Sequence, residues 1–263
     1  MKRPSFLALP KPIITCITGE KTVEADIANI KNAEYDGAQA FAVHLERLGQ
    51  DKHTAENLKR LSDCTAKPVM FLHYRDLNAR PKVYTDEERV ELLRLALKCG
   101  GACTDITADT FDASACEFTK NQSAIDKQRR FIDEAHAMGA EVVMSSHIME
   151  PRSCEQVLEQ MTEIEKRGPD FSKIVTIANT EAEFLEAIKT TLELRKVMKK
   201  PFIHLCSGQF AKPQRLLGPA LGSALTFCTQ KITPDYITMQ PPVVNMIAAL
   251  KNLNWSIDDV KTE

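Results

Sequence analysis

Pro12-Ile13-Ile14-Thr15-Cys16-Ile17-Thr18 is a continuous apolar run, and the segment after it, 22–35, places Val23, Ile27 and Ile30 three and four residues apart. The run has the length of a strand buried on both faces, and the segment has one apolar helical face, so the pair reads as β then α. The same pair recurs at 38–45 with 54–61, 68–73 with 85–99, and 103–107 with 123–138. Four further strands are expected at 140–145, 173–178, 201–206 and 224–228, with helices at 153–166, 181–197, 243–250 and a short one near 213–217.

Local punctuation agrees with the periodicity. Thr85 with Glu88 and Thr180 with Glu183 have capping-box spacing, and Gly100, Gly139 and Gly168 stand where three helices should stop. Eight βα units without a dividing linker predict an α/β protein, a single-domain (β/α)8 TIM barrel with its core at about 12–251. A doubly wound sheet is the alternative, but it usually carries a Gly-rich phosphate turn after its first strand. Thr18-Gly19-Glu20-Lys21 is not one.

Composition narrows the function classes. Among 263 residues, 34 Lys and Arg against 36 Asp and Glu give a net charge of −2, which lacks the basic excess of a general nucleic-acid binder. No stretch approaches the roughly 18 apolar residues of a membrane span, and Met1-Lys2-Arg3-Pro4 does not lead into a signal peptide. The expectation is a cytoplasmic protein without nucleic-acid or membrane partners. Eight cysteines, none in a CxxC pair, are read as free thiols.

In a barrel, catalytic groups project at the C-terminal ends of strands. Lys173 heads the expected sixth strand, Lys173-Ile174-Val175-Thr176-Ile177-Ala178. A lysine drawn into a barrel loses solvation, which favours the neutral amine that attacks ketones to form a Schiff base. Alternatively, a lysine at a strand start snorkels to solvent. His147, directly after the fifth strand in Val143-Met144-Ser145-Ser146-His147, has the chemistry of a proton shuttle or of a hydrogen-bonded structural residue. Sequence-adjacent barrel strands are spatial neighbours, so the two form a possible nucleophile and acid/base pair.

The stretches Pro12-Ile13-Ile14, Gly37-Ala38-Gln39, Lys67-Pro68-Val69-Met70-Phe71, Met144-Ser145-Ser146-His147, Ser172-Lys173-Ile174-Val175, Lys200-Pro201-Phe202-Ile203 and Arg215-Leu216-Leu217 leading into Leu221-Gly222-Ser223-Ala224-Leu225-Thr226-Phe227 keep their order over nearly the whole chain. In these stretches the chain resembles the type I 3-dehydroquinate dehydratases, Schiff-base (β/α)8 lyases of the shikimate pathway. The resemblance implies that Lys173 condenses with the substrate ketone. It also implies that His147 takes the adjacent proton, protonates the departing hydroxyl and assists imine formation and hydrolysis. No cofactor or metal is implied, the partner is a small keto acid, and the assembly is a homodimer.

The recognition positions depart from the family. Its E-x-R-x-D pattern on the second strand becomes Ala42, His44 and Glu46, still on one strand face. Tyr74 falls where an Arg is usual, with Arg75 beside it, and Thr107 replaces a Glu after Asp105. Arg215 matches the arginine for the substrate carboxylate, but a Ser and a Gln of the last loop become Ile232 and Tyr236 around Pro234. These changes predict 3-dehydroquinate or a related hydroxylated keto acid as substrate. A retro-aldol lyase and a catalytically silent metabolite-binding barrel are the other readings. His44 and Glu46 form either a proton-handling pair or part of a metal site whose third ligand is not evident; His73 and His204 either join them or pack against helices.

Overall fold

The computed structural model describes residues 3–75, 84–232 and 239–260. In these residues strands β1 (Ile13–Thr18), β2 (Ala40–His44), β3 (Val69–Leu72), β4 (Cys103–Thr107), β5 (Glu141–His147), β6 (Phe171–Ile177), β7 (Phe202–Ser207) and β8 (Leu225–Thr229) alternate with helices. The helices are α1 (Val23–Tyr35), α2 (Ala55–Asp63), α3 (Asp86–Lys98), α4 (Gln122–Ala137), α5 (Cys154–Glu165), α6 (Glu181–Val197), α7 (Ala211–Leu217) and α8 (Val243–Leu253). The strands pair in parallel in the order β7-β6-β5-β4-β3-β2-β1-β8. The two ends of that order meet where Ala224 N–H donates to Phe202 O (2.8 Å) and His204 N–H donates to Ser223 Oγ (3.2 Å). The result is the expected single (β/α)8 barrel.

Each strand is apolar on both faces because each face is covered. Ile13, Ala42, Met70, Phe171, Ile203 and Phe227 pack into the lumen, whereas Ile14, Phe41, Val43, Phe71, Val142 and Ile174 pack against the helices. Fully buried Phe6 belongs to the luminal cluster, and its backbone N–H donates to Glu141 Oε2 (2.9 Å) at the start of β5. The segment before β1 is thereby tied to the end of the barrel opposite the site.

Two boundaries differ from the sequence reading in a way that bears on function. β6 begins at Phe171, with Val143 opposite Phe171 and Ser145 opposite Lys173, so Lys173 is the third residue of its strand. Phe171 fills the lumen below it, which leaves the lysine no route to bulk water from a strand start. β5 runs through His147, which ends the strand instead of following it.

The Thr85–Glu88 capping box forms, with Glu88 N–H donating to Thr85 Oγ1 (3.1 Å) and Thr85 N–H to Glu88 Oε2 (2.9 Å). At α6 only half of the expected box is present: Thr180 caps Glu183 N–H, while the Glu183 carboxylate accepts from Asn179 N–H. Ser153 and Gln156 form a second full box, at α5. All eight cysteines are free thiols, and no helix of the described residues is long and apolar enough to cross a membrane.

His204 is fully buried on the outer face of β7, its ring held between Thr191 Oγ1 (2.9 Å) and Thr176 Oγ1 (3.1 Å). Burial pushes its imidazole from the ordinary 6.5 down to about 4. Between those values the unfolded chain binds a proton that the folded chain refuses, so the stability present above pH 6.5 is lost as pH falls toward 4. In His204→Gln this acid-side loss should shrink by about 2 kcal/mol, as read from urea melts at pH 7 and 4.5. Equal losses in variant and wild type would show that His204 does not titrate across folding.

Candidate active site

Alternation along the strands decides which polar residues share the lumen. On β6 the inward positions are Phe171, Lys173 and Val175, and on β4 Asp105 lies two residues beyond inward-facing Cys103. Tyr74 packs against the same luminal cluster just past the end of β3. Lys173, only 4 % exposed, donates from Nζ to Tyr74 Oη (2.6 Å) and Asp105 Oδ2 (3.0 Å), and Tyr74 Oη donates to Asp105 Oδ2 (2.5 Å). Its ammonium also lies 5.1 Å from the ring centroids of Tyr74 and Phe227. Burial and the adjacent Asp105 push the Tyr74 phenol well above its ordinary range, so it remains a neutral donor.

His147 closes β5 beside this trio. Its Nδ1 meets Glu117 Oε2 at 2.6 Å, its backbone N–H donates to the same oxygen at 3.0 Å, and its ring stands edge-on to Tyr74 at 4.9 Å. Glu117 is the residue of this site that sequence reasoning missed. It lies in the loop between β4 and α4 with φ at +46°, a left-handed conformation that a non-glycine residue adopts at a cost. Burial opposes its charge, but the His147 ring and the bonds to it hold the carboxyl below its ordinary range. The one available signal was its position in a βα loop, since such loops line the mouth of a barrel. A carboxylate on Nδ1 favours one tautomer and turns Nε2 away from it.

A second pair has the same form. His44, at the inward end of β2, meets Glu46 Oε1 through Nδ1 at 2.5 Å, and its ring is edge-on to Tyr74 at 5.7 Å. Burial again opposes the charge on Glu46, and His44 again holds the carboxyl below its ordinary range.

The remaining expected site residues divide. Thr107 is buried two residues beyond Asp105 and shares a hydrogen bond with Thr110 (3.1 Å). Arg75 does not join Lys173: its guanidinium is clamped between Asp109 (2.6 Å) and Asp86 (2.5 Å), on the side of α3. Strand alternation therefore sends Tyr74 into the lumen, and the two aspartates account for Arg75 turning away. Arg215, 3 % exposed in α7, donates to Cys206 O (2.8 Å) and Gln240 Oε1 (2.8 Å). Among the described residues no carboxylate pairs with it, and burial pulls its guanidinium down to about 10. Ile232 is exposed, whereas Tyr236 and Pro234 lie outside the described residues.

Other sequence features are accounted for locally. Gly208 has φ at +84°, and a Cβ there would come within 2.5 Å of Asn179 Oδ1. The following amides donate to Asn179 Oδ1 and Ala178 O, so they are not turned toward an anion. His204 packs against the helices and is separate from the His44 pair, whereas the His73 ring, edge-on to Tyr84, lies near enough to Glu46 to help hold its carboxyl below the ordinary range. Among the described residues no group of three His, Cys, Asp or Glu side chains is placed to hold a metal ion. Asp105 Oδ1 and Ser145 Oγ, both luminal and beside Lys173, are buried without a hydrogen-bond partner.

Fold and site together define a (β/α)8 barrel with a lysine centre and an imidazole–carboxylate pair at the C-terminal mouth of its strands. Within that class the chain belongs to the type I 3-dehydroquinase family, whose model matches residues 13–253. A 3-dehydroquinate dehydratase of Klebsiella pneumoniae is 24% identical over 215 residues, covering 80% of this chain and 81% of the relative. One from Neisseria gonorrhoeae is also 24% identical over 215 residues, covering 80% of each chain. The barrel is similar to the type I 3-dehydroquinate dehydratase of Clostridium difficile bearing covalently modified comenic acid, with a TM-score of 0.79, 18% identity and 93% of each chain covered.

Glu117→Gln preserves size but removes the charge that fixes the His147 ring. Turnover of 3-dehydroquinate should fall about 10- to 100-fold in kcat with KM nearly unchanged. A wild-type kcat would show that the pair serves only the loop.

Proposed function

We propose that the protein eliminates water from 3-dehydroquinate or a closely related hydroxylated keto acid through an imine on Lys173. The observation that carries this reading is an amine buried in mid-strand, within hydrogen-bond reach of both Tyr74 and Asp105, with an oriented imidazole beside it. Before it attacks, Nζ gives up a proton, and Asp105 Oδ2 is the acceptor in reach. Attack on the ketone forms a carbinolamine whose loss of water gives the protonated imine. That cation is the electron sink for removal of a proton from the adjacent carbon, and Nε2 of His147 takes it. The enamine then expels the β-hydroxyl, which needs a proton to leave as water, and hydrolysis of the product imine frees Lys173. The unpartnered Asp105 Oδ1 and Ser145 Oγ are a buried acceptor and a hydroxyl that polar substrate groups would satisfy, each unmet group being worth about 1–3 kcal/mol. Arg215, buried and lacking a carboxylate partner among the described residues, is the cation for the substrate carboxylate.

One observation supports a substrate that differs from the family's usual one. A neutral tyrosine, bonded to the lysine itself, stands where the family carries a guanidinium, and Ala42 and Thr107 replace carboxylates. A site that binds hydroxyls through fixed polar groups discriminates strongly when those groups change. On the family's pattern we further read the protein as a cytoplasmic homodimer acting in the shikimate pathway.

The test is the appearance of the conjugated product's ultraviolet absorbance on mixing with 3-dehydroquinate or its hydroxylated keto-acid analogues. Wild type should turn over at least one of them, and Lys173→Ala should lose about 10⁴-fold or more in kcat. Turnover by Lys173→Ala close to that of wild type would overturn the reading.

A further inference from the structure

The structure holds two imidazole–carboxylate pairs at one lumen, and the elimination described above uses only one of them. His147–Glu117 comes from β5 and the loop after β4, His44–Glu46 from β2 and the turn after it. Both use Nδ1 toward the carboxylate, at 2.6 and 2.5 Å, so both turn the Nε2 edge away from it. Both rings stand edge-on to the ring of Tyr74, at 76° and 75°, and Tyr74 is the residue whose hydroxyl touches the Lys173 amine. A substrate tethered to Lys173 is therefore flanked by an imidazole on the β5 side and another on the β2 side. Elimination of water has two proton events on neighbouring carbons, one removing a proton and one delivering it.

We propose that the two pairs divide these events, with His147 as the base that takes the α-proton and His44 as the acid that protonates the departing β-hydroxyl. The inference rests on the Lys173 imine proposed above. In the first step the C–H electron pair moves into the protonated imine to form the enamine, and the proton goes to His147 Nε2. In the second, the enamine pair re-forms the imine as the C–O bond breaks, and the oxygen leaves as water with the proton that His44 carried. One ring gains a proton and the other loses one, so exchange with solvent resets both. Glu46 suits this role, since a carboxylate on Nδ1 orients the ring so that its other nitrogen is the one that donates. His44 thus becomes a catalytic residue in the place where the family carries a substrate-binding arginine.

The experiment separates the steps in His44→Gln. α-Proton exchange into deuterated water, followed by mass spectrometry of recovered substrate, reads the first step; release of conjugated product reads the second. Exchange in His44→Gln should stay within about threefold of wild type while elimination falls about 10²- to 10⁴-fold. An analogue with fluoride in place of the β-hydroxyl leaves without a proton and should bring elimination to within about tenfold of wild type. Glu46→Gln keeps the imidazole and the packing, and should show the same selective loss in milder form. Unchanged elimination in both variants, or equal loss of exchange and elimination in both, would overturn the division of roles. Absence of exchange and elimination in the wild-type protein with every keto acid would instead overturn the imine reading on which it rests.

Discussion

The structure depends on holding the Lys173 amine buried in the barrel lumen against Asp105. Moving a charged amine and a carboxylate out of water costs several kcal/mol for each ion, and their attraction offsets this only when the remaining hydrogen-bonding capacity is also met. Asp105 supplies the charge and Tyr74 the additional acceptor for Lys173, so β4, β6 and the end of β3 must hold their register for the group to exist. That arrangement would be a poor investment for stability alone, because a well-packed apolar trio would serve as well. On the proposed mechanism its value is chemical: the amine sits one proton transfer to Asp105 from its nucleophilic form.

Charge around this centre is partitioned. Glu117 and Glu46 are each matched to an imidazole, Asp86 and Asp109 to Arg75, and Asp105 to Lys173. Arg215 has no such carboxylate among the described residues, its donors resting on a carbonyl, an amide oxygen and the Met239 sulfur. On the proposed reading, a site organised in this way offers a nucleophile, oriented proton carriers and a cation for an anionic group. Tyr74, a neutral donor at this position, touches the Lys173 amine directly, so whatever it does to substrate choice it does next to the nucleophile proposed above.

Most of the fold was legible in the sequence because strands covered on both faces are apolar runs of strand length, and because caps such as Thr85 with Glu88 mark helix starts. The start of β6 was not legible, since Pro169, Asp170 and Ser172 around Phe171 read as a turn and only the ladder to β5 reveals a strand. Lys173 and His147 could be picked out from position alone. Glu117 could not, because an irregular loop has no period and its contact with His147 spans 30 residues. The period of two along β3 already turns Arg75 away from the lumen if the strand stays regular; what no local pattern encodes is its clamp by Asp86 and by Asp109, 34 residues away.

The central claim is that Lys173 forms an imine with a keto acid. Borohydride reduction in the presence of 3-dehydroquinate and its hydroxylated analogues, followed by peptide mass analysis, tests it most directly. The account predicts a covalent adduct on the peptide containing Lys173, absent without ketone and absent in Lys173→Ala. An enzyme that turns over the same keto acid yet yields no reduced adduct, or yields it on another lysine, would contradict it.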